Sequence, residues 1–218
     1  MSDVSSTAPT MNKQLVRAAV LVAILAGSVA STKTYDLGGG GDYQHELTLL
    51  HMLAFSSWFG CSVWVSFVAG LVMFKNLPRH TFGRLQAKLF PAYFLFSAIM
   101  IGIAMVTSSA LGWGLQSLGC IMATILVNLV YFEPETTRVM FERHKVERRL
   151  GTGHEVGILK PKDPEKANDP ELKKLSKQFG MLHGFSTLFN LGALGVGCYW
   201  INFCTQQMVA VASSSSSG

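Results

Sequence analysis

The sequence contains few charged residues. Of its 218 residues only 14% are Asp, Glu, Lys or Arg, whereas 49% are hydrophobic and the mean hydropathy is +0.33. Three long stretches, 47–74, 89–132 and 178–218, contain no charged residue at all. A bilayer span takes about 20 apolar residues, so each stretch is long enough to cross a membrane. The chain is therefore predicted to be an all-α integral membrane protein, and the lipid bilayer is its first expected partner.

The sequence also lacks the short motifs of common enzymes. It has no nucleophile elbow, no HExxH helix and no paired carboxylates, and the glycines at 38–41 lack the strand, helix and Lys of a phosphate-binding loop. The formal charge of +5 does not indicate nucleic acid, because the basic residues lie in loops between apolar runs. We expect no enzymatic activity, no cofactor and no nucleic-acid partner.

Cysteine is scarce, and no CxxC pair occurs. The four cysteines lie inside or at the edges of apolar runs, at Cys61, Cys120, Cys198 and Cys204. None stands beside a second soft ligand, so they are interpreted as small buried hydrophobic residues rather than as redox or metal sites.

The apolar runs predict four core spans, the first from Leu49 to Phe74. The run 89–132 has 44 uncharged residues, and as a single helix it would be about 66 Å long, twice the thickness of a bilayer. It must therefore fold back. The predicted turn is Ser108 to Gly114, where two serines and two glycines interrupt the apolar pattern.

The ends of the last two spans are predicted from turn chemistry and charge. Pro134 lacks an N–H group, so Glu133 to Glu135 is expected to close span three. Span four is expected from about Phe179 to Phe203. The membrane domain is thus 47–205, with a soluble basic insert at 134–178 whose charged helix, 136–150, is expected to be mainly solvated. The tail 206–218 ends in serines and is expected to be disordered.

Residues 1–46 form a separate segment with a polar start, an apolar stretch from Ala18 to Thr32 and a glycine-rich loop. One interpretation is a cleaved signal, since Ser28 and Ala30 have the small-residue spacing of a cleavage site. The other, which we favour, is an extra hydrophobic helix that places Lys13 and Arg17 on the basic side. Such a segment suits the secretory path, a mitochondrion or a plastid.

The positive-inside rule orients the membrane domain. It assigns the basic loops 75–88 and 134–178 to the cytoplasmic face and the uncharged turn at Gly112 to the opposite face.

A group of polar residues is expected to gather where the spans meet the cytoplasmic face. The candidate binding residues are Arg79, His80, Glu133, His183 and Asn190. Polar groups at membrane depth are costly and therefore often mark a binding site. In a functional interpretation these residues form a pocket for an anion, a lipid headgroup or an ion. In the structural interpretation, which we weight more heavily, they are hydrogen bonds between helices worth about 0.6 to 2 kcal/mol each.

Six histidines make a haem or copper site a rival hypothesis, because histidines on facing helices commonly hold haem iron. His51 and His183 enter their spans from opposite sides, about 30 Å apart. His45 and His51 are six residues apart, so they do not share a helix face. No metal ligand set is predicted.

Several segments resemble the transmembrane protein 205 family, in the same order and at similar spacing. They are Trp64-Val-Ser-Phe-Val-Ala-Gly70, Leu77-Pro-Arg-His-Thr-Phe-Gly83, Gln86-Ala-Lys-Leu-Phe-Pro91, Glu133-Pro-Glu-Thr-Thr137 with Met140, and His183-Gly-Phe-Ser-Thr-Leu-Phe-Asn-Leu191. The resemblance covers roughly Leu50 to Tyr199. It implies a four-helix membrane domain for which no reaction, substrate or cofactor is established. The N-terminal hydrophobic stretch and glycine loop depart from the short animal form.

These observations predict that the protein acts by binding and not by catalysis. We expect a structural or accessory membrane protein whose basic cytoplasmic face contacts anionic lipid headgroups, or a partner in a larger complex or homo-oligomer. One alternative is a small oligomeric transporter or ion- or anion-binding protein. The other is a haem- or copper-binding membrane protein.

Overall fold

The computed structural model describes residues 42–157, 166 and 168–215. The N-terminal apolar stretch, predicted as a signal or an extra helix, lies outside them. In the described part of the chain four helices are long and apolar enough to cross a membrane. The predicted all-α fold with four core spans is confirmed.

The four helices have the following bounds. Helix α1 is α-helical over Asp42–Val63 and Gly70–Asn76 and π-helical over Trp64–Ala69 between them. Helix α2 is Arg79–Ala110. Helix α3 is α-helical over Gln116–Val127 and Glu133–Arg149, with a π-helical segment at Asn128–Phe132. Helix α4 is Pro170–Ser215.

The bundle has a packed interior and an apolar outer surface. Helix α1 packs against α2, and α3 packs against both α2 and α4. Trp58, Ile101, Leu118 and Leu129 are almost completely buried between them. Many other large apolar side chains are exposed, among them Leu188 at 64%. An exposed apolar surface of this kind is what lipid tails require of a membrane-spanning helix.

The turn between α2 and α3 lies where the sequence predicts it. Helix α2 ends at Ala110, and Gly112 adopts a positive φ of 69° that glycine reaches without strain. The N–H of Trp113 donates to the carbonyl of Ser108 at 2.8 Å, which satisfies one of the last carbonyls of α2.

Pro134 does not end the third helix, contrary to the expectation. Helix α3 continues through it to Arg149. The reason is the π-helical segment directly before it, in which the N–H of Glu133 donates to the carbonyl of Asn128, five residues back. This change of hydrogen-bond register lets the helix pass a residue that has no N–H group.

Helix α4 is longer than the predicted span at both ends. It begins at Pro170, about two and a half turns before Phe179. At this start Asp169 is the N-cap, and its Oδ1 accepts a hydrogen bond from the N–H of Leu172 at 2.9 Å. It also continues through 206–215, which was expected to be disordered. Met208 and Val209 are apolar and exposed, so they extend the apolar outer surface of the helix.

The connections α1–α2 and α3–α4 meet at one end of the bundle. Pro78 and Val156 form an isolated antiparallel bridge between them. The N–H groups of Arg79 and His80 donate to the carbonyls of Glu155 and Gly153, at 2.9 and 3.1 Å. These bonds satisfy two of the free N–H groups at the start of α2. We call this end, comprising the described residues in 75–88, 138–157 and 166–177, the basic end.

Candidate functional site

A buried polar cluster lies inside the basic end. His80 is the second residue of α2, and His144 and Glu147 are three residues apart on α3, so they share one helix face. We call these three residues the His–His–Glu cluster. Their ligand atoms all lie within 4.8 Å of one another. Their exposed fractions are only 5%, 1% and 3%, so the cluster is largely closed to solvent.

The cluster is held together by direct contacts between the two helices. His80 Nε2 lies 2.7 Å from Glu147 Oε2, a short hydrogen bond. The rings of His80 and His144 are 4.3 Å apart between centroids. Helix α2 can approach this closely because residue 83 is glycine: a Cβ there would lie 2.7 Å from His144 Cε1 and 2.8 Å from Met140 Sδ.

Two arginines face the other oxygen of Glu147. Nε of Arg79 lies 3.2 Å from Glu147 Oε1, and Nε of Arg143 lies 3.4 Å from the same atom. Neither Nε has the alignment of a hydrogen bond, so these contacts are ion pairs by distance only. The guanidinium of Arg143 also lies over the ring of Phe179, 4.6 Å from its centroid, which ties the cluster to α4.

The loop after α3 covers the cluster on the side of His80. Gly153 has a positive φ of 100°, and its α-carbon packs against the imidazole of His80 so closely that a Cβ would overlap Nε2. Glu155 Oε2 accepts hydrogen bonds from the N–H of Gly153 at 2.7 Å and from Arg79 Nη2 at 3.2 Å. Partial burial opposes ionisation of Glu155. The N–H groups of Glu155 and Gly153 and the charge of Arg79 outweigh that effect, so the pKa of Glu155 lies below its ordinary value.

Of the five residues predicted to gather, His80 belongs to the cluster and Arg79 lies beside it. Arg79 forms ion pairs with Glu147 and Glu155. Glu133 is buried 14 residues before Glu147 on α3, about 21 Å along the helix axis, where it accepts a hydrogen bond from Thr137. His183 is exposed and stacks on Phe179.

Asn190, the last of the five, belongs to a separate polar network deeper in the bundle. Its Oδ1 lies 2.8 Å from the hydroxyl of Tyr93, and its Nδ2 donates to Ser66 Oγ at 2.8 Å. These bonds join α4 to α2 and α1. Nearby, Ser186 Oγ donates to Asn128 Oδ1 at 2.6 Å and joins α4 to α3.

His144 and Glu147 were not predicted as site residues from the sequence. The charged helix from 136 was expected to be mainly solvated, but one face of it, with Val139, Met140, His144 and Glu147, is buried. The available signal was the recurrence of these residues at helical spacing, which places them on one stripe. Their pairing with His80 depends on how α2 crosses α3.

A third buried polar group lies toward the opposite end. His51 is completely buried, and its Nε2 accepts a hydrogen bond from Trp200 Nε1 at 3.0 Å. Because indole N–H can only donate, Nε2 carries no proton and Nδ1 does. Nδ1 lies 3.0 Å from the carbonyl of Ala104 and 2.9 Å from Thr107 Oγ1. Both nitrogens of His51 are therefore used in joining α1, α2 and α4.

The fold and its buried polar clusters define a class: a multi-pass membrane protein built on one four-helix domain. The sequence profile described as "Domain of unknown function (DUF4149)" matches residues 53–145. Transmembrane protein 205 of Danio rerio is 33% identical over 175 residues, covering 74% of this chain and 92% of that protein. The chain belongs to the transmembrane protein 205 family. No solved structure matches it.

Proposed function

We propose that this protein is an accessory membrane protein that acts by binding, and that its basic end holds anionic lipid headgroups. The observation that carries the proposal is a set of exposed cations at that end which form no ion pair with another described residue. They are Lys75, Arg84, Lys88, Lys145, Arg148, Lys173, Lys174 and Lys177. All four helices contribute, so the cations surround the end of the bundle.

A cleft between α3 and α4 brings two of these cations, Lys145 and Lys174, together. It has a volume of about 510 Å³ and is lined by Glu142, Lys145, Val146, Arg149, Glu171, Lys174, Leu175 and Gln178. Both of its carboxylates are already paired, Glu142 with Arg138 and Glu171 with Arg149, each at 2.8 Å. Lys145 and Lys174 keep their charge available for an anionic group. A basic residue near an anionic membrane surface contributes about 1 kcal/mol to binding.

The interior of the bundle favours binding at its surface over transport through it. Several of the polar side chains between the helices bond to one another, as Asn190 does with Tyr93 and Ser66. A satisfied network of this kind stabilises helix packing, and hydrogen bonds in it contribute about 0.6 to 2 kcal/mol each.

Lipid retention tests the headgroup half of the proposal. The purified full chain is exchanged into micelles containing phosphatidylserine or phosphatidylcholine, and native mass spectrometry counts the lipids that remain bound. We expect preferential retention of phosphatidylserine that weakens with salt. The double variant Lys145→Gln/Lys174→Gln should lower the affinity by about 2 kcal/mol, or about thirtyfold.

A matched control separates the cleft from net charge. Lys75→Gln/Lys88→Gln removes the same charge from α1 and α2, away from the cleft lining. Because Lys75 and Lys88 belong to the same set of exposed cations, we expect some loss of retention, but a smaller loss than in the cleft variant. An equal loss of lipid retention in both double variants would show a diffuse attraction between the basic end and anionic lipid, without a specific role for the cleft. Equal retention of phosphatidylserine and phosphatidylcholine by the wild type would contradict headgroup binding.

Gentle extraction from native membranes tests the second part of the proposal, the accessory role. We expect the protein to elute with at least one other membrane protein at fixed stoichiometry. Elution of the chain alone, under conditions that keep known membrane complexes intact, would contradict an accessory role.

A further inference from the structure

We propose that His80, His144 and Glu147 form a binding site for a divalent first-row transition-metal ion such as Zn²⁺. Two imidazoles and one carboxylate, with ligand atoms within 4.8 Å of one another, are a donor set of the kind that holds such ions. The site lies in the interior of the basic end, so it is independent of headgroup binding at the surface.

The imidazole of His144 supplies the observation that points to a ligand. Its Nε2 is buried and makes no hydrogen bond with any described residue. It faces α2, the helix that carries His80, since a Cβ on Gly83 would lie 3.1 Å from it. Buried side-chain nitrogens in proteins nearly always have a partner. A metal ion between His80, His144 and Glu147 would be that partner.

The geometry requires only small movements of side chains. Zn–N and Zn–O bonds of about 2.0 to 2.1 Å in a tetrahedral site place the ligand atoms about 3.3 Å apart. His80 Nε2 and Glu147 Oε2, now 2.7 Å apart, would separate by about 0.6 Å, and the His144 ring would move inward. The metal would replace the proton between His80 and Glu147, which passes to His80 Nδ1 or to solvent. Water would fill the fourth position.

The surrounding charge leaves one carboxylate oxygen for the metal. Arg79 and Arg143 face Oε1 of Glu147, whereas among the described residues Oε2 bonds only His80. The guanidinium groups oppose a second cation, and Glu155 offsets the charge of Arg79. Because two of the three donors are imidazole nitrogens, we expect Zn²⁺ or Co²⁺ to bind in preference to Mg²⁺ or Ca²⁺, which require oxygen ligands.

A cobalt titration of the purified full chain tests the site. The protein is prepared with an affinity tag that contains no histidine, stripped with a chelator, and titrated with Co²⁺. We expect one equivalent to give the visible absorption bands of tetrahedral cobalt with nitrogen and oxygen ligands, and Zn²⁺ to displace it. His183→Gln, which removes an exposed histidine of α4 outside the cluster, should bind as the wild type does.

Two variants test the ligands themselves. His144→Phe keeps an aromatic ring in the buried position and removes the unpartnered nitrogen, so the metal-free protein should remain folded by circular dichroism and size-exclusion chromatography. His80→Gln is the second variant. We expect the affinity for Co²⁺ to fall at least tenfold in both. Unchanged affinity in both folded variants, or no saturable binding by the wild type, would overturn the proposal.

Discussion

His80 Nε2 and Glu147 Oε2 are 2.7 Å apart, although 67 residues separate them in the sequence. The contact joins the first turn of α2 to the last turn of α3, and both residues lie outside the charge-free run 89–132. Both residues are also bound by the loop after α3, since the N–H of His80 donates to the carbonyl of Gly153 and the carbonyl of Glu147 accepts from the N–H of Thr152. Buried contacts therefore hold α2, α3 and the loop after α3 together at the basic end.

Neutralising Glu147 should destabilise the protein. In Glu147→Gln the charge facing Arg79 and Arg143 is lost while both guanidiniums stay largely buried, with side-chain exposures of 13% and 14%. Breaking a buried ion pair by removing one partner costs about 3 to 5 kcal/mol, and partial exposure of the arginines reduces this to about 2 kcal/mol. The measurement is thermal unfolding of the metal-free protein in detergent.

Glu142→Gln is the matched control for this variant. Glu142 pairs with Arg138 on the same helix, where both side chains are exposed, at 41% and 50%. Exposed pairs of this spacing contribute about 0.3 to 0.5 kcal/mol. Equal unfolding temperatures for the two variants would show that the ion pairs of Glu147 contribute no more than surface contacts.

Adding one methyl group at Gly83 should lower the stability of the protein. In Gly83→Ala the new Cβ would lie 2.7 Å from His144 and 2.8 Å from Met140, so either these two buried side chains or the helices that carry them must move apart. Overpacking of this kind costs about 1 to 3 kcal/mol. Gly119→Ala is the control, because nothing lies within 4 Å of its Cβ and alanine favours a helix interior by about 0.5 to 1 kcal/mol.

The two substitutions should therefore shift the unfolding temperature in opposite directions. A stabilising effect of both would mean that the approach of α2 to α3 at Gly83 is looser than the structure has it.

The hydrogen bond between Trp200 and His51 should stabilise the opposite half of the bundle. Trp200→Phe removes the indole donor and leaves the buried Nε2 of His51 with only the weak thiol of Cys204, 3.9 Å away, so we expect a cost of about 1 to 3 kcal/mol. Trp64→Phe is the comparison, because Trp64 is 60% exposed and should tolerate the change. A double-mutant cycle with His51→Phe should give a coupling of about 0.6 to 1.7 kcal/mol, the range of such bonds between membrane helices. Zero coupling would contradict the bond.

The four core spans in the described part of the chain could be predicted from the sequence, but the cluster could not. A charge-free run of fixed length must cross the bilayer or fold back, so the run 89–132 determined two spans and placed the turn near Gly112. Whether Pro134 ends a helix depends on the π-helical segment before it, a tertiary adjustment with no local signal. The partner of His80 likewise depends on the approach of α2 at Gly83 and on the loop conformation at Gly153.

The last prediction concerns the pH dependence of the loop that closes the cluster. Because the folded-state pKa of Glu155 lies below its ordinary value of 4.5, ionised Glu155 stabilises the folded state. That contribution is present above pH 4.5 and is lost as the pH falls through the lower folded-state pKa. The wild type should therefore be more stable than Glu155→Gln near neutral pH, and the two should converge under acid conditions. Unfolding in detergent across this range measures the difference, and a gap that widens as the pH falls would reverse the sign and refute the role assigned to Glu155.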